Sequence, residues 1–287
     1  MFAKAVSKTL NFIRPVITPV RFYDESIDFK GGALVLVNKD GWFITAAHLF
    51  LDNALLEQHK KEIAAYEVEL KKLQDQGAPK RELKKLAKQK NPKWIRNTSV
   101  WPGRDNQRVV DGEMLPEVDL AIGRLEPFDP ESVFEYPVFK NPTGALPVGI
   151  SLCKLGYPFS DFKVGFDHNK GQFALDLQNL VPFPLEGIYT RDVLGPMTQD
   201  QKYRIRFIET SSPGLLGQSG GPIFDRDGTV WAVQSRTVHL PLGFTAKIQR
   251  GGREIEENQI INLGLGIHPE LLVQFMSDHK ISFSMTD

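Results

Sequence analysis

One serine lies in a glycine-rich stretch whose composition suits nucleophilic chemistry. The stretch is Gly217-Gln-Ser-Gly-Gly-Pro222, and Ser219 carries its one hydroxyl group. A serine hydroxyl attacks a carbonyl when a base takes its proton and when backbone N–H groups stabilise the oxyanion that forms. A glycine two positions before the serine lets the chain turn so that both N–H groups point the same way, and the glycines after it tolerate positive φ. Taken alone, the stretch favours a catalytic serine, although a glycine-rich turn between two strands is the alternative.

Two upstream motifs contain the partners that such a serine needs. His48 ends the segment Phe43-Ile-Thr-Ala-Ala-His48, and Asp119 is the second residue of Val118-Asp-Leu-Ala-Ile122. A histidine, an aspartate and a serine in this chain order have the order of the chymotrypsin-type triad, in which the histidine is the base and the aspartate fixes its tautomer. Asp111 is the alternative carboxylate if Asp119 is only a strand-edge residue.

The chain resembles a trypsin-fold serine protease, and within that fold it resembles the HtrA (Deg) type. Four further segments carry the resemblance: the strand, loop and nucleophile segment, the strand after it, the first strand of the C-terminal barrel, and a stretch similar to the family's Gly-Phe-Ala-Ile-Pro. These are Phe207–Pro222, Gly228–Arg236, Leu146–Pro158 and Gly264–Pro269. The resemblance covers most of the chain except residues 1–20, 50–95 and roughly 159–185.

The resemblance implies a mostly β protein built from two six-stranded antiparallel β-barrels. Residues 1–127 would form the N-terminal barrel with His48 and Asp119, and residues 128–287 the C-terminal barrel with Ser219. A PDZ domain, typical of the HtrA family, is not expected, because no segment remains for one.

Two helical elements are predicted from the residues themselves. In residues 50–93 the β pattern stops, apolar residues recur seven apart, and Gly77-Ala-Pro79 interrupts them. This pattern predicts a helical hairpin inserted directly after His48. Near the C-terminus, Pro269–Met276 predicts a short closing helix, whereas Asp192–Lys202 is expected to be a loop.

The implied chemistry is acyl transfer at peptide bonds, that is, a trypsin-like serine endopeptidase. Ser219 would attack, His48 would take and later return its proton, and Asp119 would orient His48. The oxyanion hole would use the N–H groups of Gly217 and Ser219, with that of Gln218 between them. Digestive trypsins carry an aspartate where this chain has Gln218, so control is expected from ordering of the loops in residues 186–217 instead of from a newly cut N-terminus.

The resemblance also places the substrate. Its backbone would pair with Ser235-Arg-Thr237, and the primary pocket would be lined by Pro213, Gly214, Leu215, Gln234 and Gly264. Pro213 stands where an acidic residue would select Arg or Lys, so a small or medium uncharged side chain is expected in the pocket. Arg236 would favour acidic residues nearby, as would His239 or His268 if either lay close to the pocket.

Composition limits the classes of partner. The chain has 287 residues, 41% of them hydrophobic and 24% charged, and a formal net charge of zero, which gives no reason to expect nucleic acid or membrane as partners. A single cysteine, Cys153, excludes an internal disulfide. No signal-peptide-like or membrane-spanning apolar run is present, so a cytoplasmic location is expected. No metal-binding spacing or phosphate loop is found, so neither a metal nor a cofactor is expected.

The second half of the insertion is strongly basic. Lys80–Lys93 contains seven basic residues and one glutamate. It is either a solvated helix face, or a docking arm for a regulatory protein or a second copy of the chain; nucleic-acid binding is a third alternative. At the level of function, the alternatives are therefore an active protease, a protease that stays latent until a partner engages the arm, and a catalytically silent adaptor that keeps the fold.

Overall fold

The computed structural model describes residues 1–144, 146–250 and 253–287. The protein is mostly β, with 44% of residues in strands and 22% in helices. A first sheet curls into a half-barrel and a second closes into a ring-like sheet. Helix α1 (Ala3–Thr9), which the sequence patterns do not predict, precedes both. No helix in the described part of the chain is both long and apolar enough to cross a membrane.

The first sheet brings the segments that carry His48 and Asp119 together. Its six antiparallel strands lie in the order β4-β1-β2-β3-β6-β5. They are β1 (Ile13–Phe22), β2 (Ile27–Leu36), β3 (Trp42–Ala46), β4 (Ile95–Thr98), β5 (Arg108–Leu115) and β6 (Leu120–Glu126). Because the end of β3 pairs with the start of β6, with Ala46 opposite Leu120, the residues just beyond each strand become neighbours.

The predicted helical hairpin is confirmed. It consists of α2 (Leu51–Asp75) and α3 (Lys80–Ala87), which begin directly after the segment that bears His48. Each helix contributes buried apolar side chains to a small cluster around Trp94, at the start of β4: Ile63, Tyr66 and Leu86. The hairpin is therefore packed on the first sheet by its own hydrophobic cluster, and its basic residues stay on the outside.

The second sheet has eight strands, in the order β13-β8-β11-β12-β15-β14-β7-β16, and an additional β13–β14 pairing closes it. Six are β8 (Ser151–Gly156), β11 (Phe183–Met197), β12 (Arg204–Thr210), β13 (Pro222–Phe224), β14 (Val230–Arg250) and β15 (Arg253–Ile267). The two beyond the expected six, β7 (Val138–Phe139) and β16 (Ser284–Met285), have two residues each and pair in parallel with each other. They form because the inter-barrel connection and the C-terminal segment run side by side along the edge of the sheet.

Two parts of this half differ from the sequence-based expectation. Residues 161–178 form a separate hairpin, β9 (Asp161–Asp167) and β10 (Gln172–Gln178), which the patterns left unassigned. The expected loop at Asp192–Lys202 is wrong in its first half, because β11 continues to Met197. Its polar residues fit a strand because they pair with β12, where Asp192 faces Ile208 and Leu194 faces Arg206.

One hydrophobic core joins the two sheets. It contains Phe43 and Val118 from the first half, and Phe207 and Val233 from the second. Helix α4 (Pro269–Asp278), the predicted closing helix, adds Leu271, Leu272, Phe275 and Met276 to the same core. The shared core holds the segment with His48 against the strands that follow Ser219.

Candidate active site

His48 and Asp119 are in direct contact. The Nδ1 atom of His48 lies 3.0 Å from both carboxylate oxygens of Asp119, and the His48 backbone N–H donates to Oδ1 at 2.9 Å. The pairing of β3 with β6 accounts for this contact, since the Ala47 N–H also donates to the Asp119 carbonyl at 2.9 Å. With Nδ1 donating to the carboxylate, the other ring nitrogen of His48 is left to accept a proton.

A third group holds the Asp119 carboxylate. The Ser235 hydroxyl donates to Oδ2 at 2.5 Å, from a position 116 residues away on β14. Burial acts to raise the pKa of Asp119, but the hydrogen bonds from His48 and Ser235 and the His48 charge outweigh it, so the pKa is lowered from its ordinary value. Sequence reasoning named Ser235 only for substrate pairing and missed this contact, because no local pattern signals it.

Ser219 lies on a tight turn fixed from both sides. Its carbonyl accepts from the Ala33 N–H at 2.8 Å, and the next N–H, of Gly220, donates to the Gln234 carbonyl at 2.8 Å. Gly220 has φ +78°, and a Cβ there would come within 2.1 Å of the Ala33 carbonyl, so the position requires glycine. Ser219 and His48 line the same cavity, of about 570 Å³. Among the described residues no hydrogen bond joins their side chains, which is common before a substrate tightens such contacts.

The three predicted oxyanion donors differ in their availability. Gly217 has φ +95°, and in the described part of the chain neither its N–H nor that of Ser219 bonds to a backbone carbonyl. The Gln218 N–H, by contrast, donates to the Leu215 carbonyl at 2.9 Å and is therefore already engaged in this structure. A Gly217–Ser219 pair of donors is what an oxyanion site needs.

Gln218 instead stabilises the surrounding loop through its side chain. Its amide is fully buried, accepts from the Leu215 N–H at 3.0 Å and donates to the Phe183 carbonyl at 3.3 Å. The residue that replaces the aspartate of digestive trypsins thus ties the loop before Ser219 to the start of β11.

The residues predicted to pair with the substrate backbone contact those predicted to line the primary pocket. Little space for a substrate side chain is left between them. The Thr237 hydroxyl donates to the Gly214 carbonyl at 2.7 Å and accepts from the Gly214 N–H at 2.9 Å. The buried side chain of Gln234 lies against Gly214, where a Cβ would be 2.2 Å from its Nε2. Leu215 lies elsewhere, in the wall of the cavity that holds Ser219.

A lysine that the sequence analysis did not identify occupies the base of the predicted pocket. The Lys154 ammonium donates to the carbonyls of Ser212 and Pro213, to the latter at 3.0 Å, and lies so close to Gly264 that a Cβ there would be 2.3 Å away. Lys154 is 1% exposed, and burial lowers its pKa to about 7. The alternation of β8 gave no sign of this, because a lysine in an alternating strand is usually a solvent-facing residue.

Two other candidates lie elsewhere. Asp111, the alternative partner for His48, forms an ion pair with Arg124, whose Nε is 2.8 Å from its Oδ2. His268 caps α4 by accepting from the Glu270 N–H at 3.2 Å, and burial lowers its pKa to about 4, so it is neutral and not a recognition group for acidic side chains.

Comparison with known proteins agrees with this architecture. The family described as the trypsin-like peptidase domain matches residues 32–233. A solved structure of the HtrA-type protease AlgW with tripeptide is 15% identical, with a TM-score of 0.50, and the match covers 98% of this chain and 65% of that one. A serine-to-alanine variant of AlgW with tripeptide is 14% identical, with a TM-score of 0.49, and covers 97% and 63%. This chain thus spans slightly less than two thirds of those structures, and no curated protein matches it.

Proposed function

Since the chain belongs to the trypsin-like peptidase domain family, we propose that it is a serine endopeptidase whose catalytic residues are His48, Asp119 and Ser219. The observation that carries the proposal is the contact of the Asp119 carboxylate with both the ring and the backbone nitrogen of His48, beside a cavity that His48 shares with Ser219. Retention of all three residue types argues against a silent adaptor, the alternative function.

The proposed reaction follows from these contacts. Ser219 Oγ attacks the peptide carbonyl while His48 takes its proton, and Asp119 stabilises the resulting imidazolium. The N–H groups of Gly217 and Ser219 receive the oxyanion, where loss of one such donor typically raises a barrier by about 3 kcal/mol. His48 then returns the proton to the leaving amine as the C–N bond breaks, and water hydrolyses the acyl-enzyme by the reverse roles.

We also propose a small uncharged side chain as the preferred residue before the scissile bond. Gln234 fills the space beside Gly214, and the Lys154 ammonium with its carbonyl partners fills the space beside Gly264. A long basic side chain would meet the Lys154 side chain there and would find no carboxylate to pair with.

Labelling with a fluorophosphonate probe tests the catalytic assignment. The native protein is expected to be labelled, and Ser219→Ala and His48→Ala are expected to lose labelling, because one removes the nucleophile and the other its base. The measurement is in-gel fluorescence with mass mapping of the modified residue. Labelling that persists in Ser219→Ala would contradict the assignment. Absence of labelling in the native protein, before and after limited proteolysis, would favour the silent adaptor, whereas labelling only after proteolysis would indicate latency.

For the insertion, we propose docking of an acidic protein, either a substrate or a regulator, on the outer face of α3. Leu86 packs inward in the Trp94 cluster, while Lys84, Lys85 and Lys88 are exposed. Reversing these three charges to glutamate is expected to lower cleavage of casein, an acidic protein, by a factor between about three and about one hundred, since exposed charge pairs contribute about 0.2–1 kcal/mol each.

The control for the arm is cleavage of a short uncharged peptide, which reaches the active site without the insertion. Its rate is expected to stay unchanged in the same variant. A matched reversal of three exposed lysines elsewhere, Lys4, Lys39 and Lys280, is expected to leave casein cleavage unchanged. Equal loss with both sets, or equal loss on both substrates, would rule out docking through α3.

A further inference from the structure

The cavity that contains His48 and Ser219 extends well beyond them. Its volume of about 570 Å³ is within the range of about 300–1,000 Å³ that is typical of small-molecule sites. Four aromatic residues and several aliphatic side chains form most of its wall, among them Phe29, Tyr157, Phe159, Phe162, Leu215 and Leu216. Ser219 therefore lies in the wall of a large apolar recess, to which the proposed reaction assigns no part of the substrate.

This recess is separate from the cavity at the strand expected to bind the acyl side of the substrate. Ser235 and Arg236 line a different cavity, of about 450 Å³, together with Asp119. His48 belongs to both cavities and so stands between them. The apolar recess continues instead towards Gly31 on β2 and Phe162 on β9. A polypeptide that passes over Ser219 from Ser235–Thr237 must leave in that direction.

We propose that the recess is a subsite for a large apolar side chain, aromatic or aliphatic, within the first two residues after the scissile bond. The proposal rests on the proposed peptidase function and names a part of its substrate. The occupant is the leaving segment of the polypeptide, because the recess contains the nucleophile and the base themselves and is therefore continuous with the reacting atoms.

The wall is shaped for apolar contact. Phe29 and Phe162 have ring centroids 4.7 Å apart, and a Cβ at Gly31 would be 3.1 Å from Cζ of Phe162, so glycine there lets the tip of the ring approach β2. At the mouth, Phe159 is 76% exposed and Leu216 is 92% exposed. Large apolar side chains held in solvent around a recess are characteristic of binding sites.

Two of the polar groups in this wall, the Lys30 ammonium and the Ser160 hydroxyl, are already engaged. Lys30 forms a 2.6 Å ion pair with Asp52 in the first turn of α2. The Ser160 hydroxyl donates to the Tyr157 carbonyl at 2.9 Å. A charged side chain entering the recess would therefore lose its hydration without gaining a free partner, whereas an aromatic or branched aliphatic side chain would gain the contacts of the wall.

Partition of an acyl-enzyme tests the subsite separately from acylation. A small N-acyl amino acid p-nitrophenyl ester acylates Ser219 and has no residue after the scissile bond. Amino acid amides then compete with water: the amine nitrogen forms a new amide bond to the acyl carbon, the ester bond to Ser219 Oγ breaks, and the Ser219 hydroxyl regains a proton. The ratio of amide product to acid product reports only the group bound on the leaving side.

Phenylalanine amide and leucine amide are expected to give ratios at least about tenfold above glycine amide and aspartate amide. In Phe162→Ala and Phe159→Ala this preference is expected to fall to about twofold or less, because each substitution removes an aromatic ring from the wall. The ratio is internal to each variant, so it does not depend on how fast that variant is acylated. Phe134→Ala provides the matched control: Phe134 is exposed and is not part of the cavity wall, so the preference should stay.

The outcomes separate the two proposals. Acylation of Ser219 with equal ratios for all four amides would overturn the subsite and leave the peptidase proposal standing. A preference that survives in Phe162→Ala and Phe159→Ala would likewise show that another part of the surface binds the leaving side. Absence of acylation would overturn the peptidase proposal and the subsite with it. Apolar amides that slow acylation without forming product would show that the recess belongs to another occupant.

Discussion

Asp119→Asn is expected to lower kcat for peptide hydrolysis by about four orders of magnitude, the size of effect that the same change has in the chymotrypsin-type triad. The Asp119 carboxylate accepts hydrogen bonds from the His48 ring, the His48 backbone N–H and the Ser235 hydroxyl. An asparagine side chain has one acceptor oxygen for these three donors, and its NH₂ group would favour the His48 tautomer that cannot take the Ser219 proton. The measurement is kcat and KM on a short peptide, with circular dichroism to show that the variant is folded.

Asp111→Asn is the matched control. Asp111 is an aspartate of the same half of the protein, but its partner is Arg124 and not His48. Its substitution is expected to leave kcat within about twofold. An equal loss in both variants would indicate a general electrostatic or stability effect, and a loss in Asp111→Asn alone would contradict the proposed triad.

The parts of the site that the sequence predicted are those encoded locally. The hairpin that ends at His48 and the motif that begins at Val118 are each short, and the pairing of β3 with β6 brings their ends together. Likewise, the glycines around Ser219 are explained by positive φ at Gly217 and Gly220. A sequence pattern can show such features because the cause and the effect lie within a few residues.

The parts that the sequence did not predict depend on contacts across the fold. Ser235 reaches Asp119 from the other half of the protein, and Lys154 reaches the loop at Ser212 from β8. Neither residue stands out in its own segment. The same holds for Gln218. Its residue type marked the position as unusual, but only the fold shows that its side chain bonds to the Leu215 N–H and the Phe183 carbonyl.

The pocket illustrates how such long-range contacts change a functional prediction. The sequence indicated an uncharged pocket base, because Pro213 replaces the acidic residue of trypsins. In the structure the Lys154 side chain lies directly behind Pro213, and its terminal nitrogen donates to the Pro213 carbonyl. Discrimination against long basic side chains thus has two physical causes, the missing carboxylate and the Lys154 side chain that occupies the space beside Gly264.

Lys154 should also make the stability of the protein depend on pH in the alkaline range. Its pKa is lowered by burial from the ordinary value of 10.5 to about 7. Between these two values the unfolded chain carries a proton on this lysine that the folded chain does not, so the unfolded state binds more protons and the free energy of unfolding rises with pH. The contribution of Lys154 is expected to grow by about 1 kcal/mol per pH unit from pH 7.5 to pH 10, which is close to the limit of about 1.4 for one group.

The measurement is urea unfolding of the native protein and of Lys154→Met at intervals from pH 7.5 to pH 10. The contribution of Lys154 is the difference between their free energies of unfolding at each pH. Lys154→Met lacks the titrating group, so the free energy of unfolding of the native protein should rise with pH relative to that of this variant. The control is Lys163→Met, which removes an exposed lysine on β9 and should differ from the native protein by a constant amount. If Lys154→Met is too unstable, because it leaves the Ser212 and Pro213 carbonyls without a donor, Lys154→Gln restores a neutral donor and the same comparison holds. A difference that stays flat would mean that these oxygen acceptors keep the ammonium charged despite its burial, and the pocket would then present a fixed positive charge at every physiological pH.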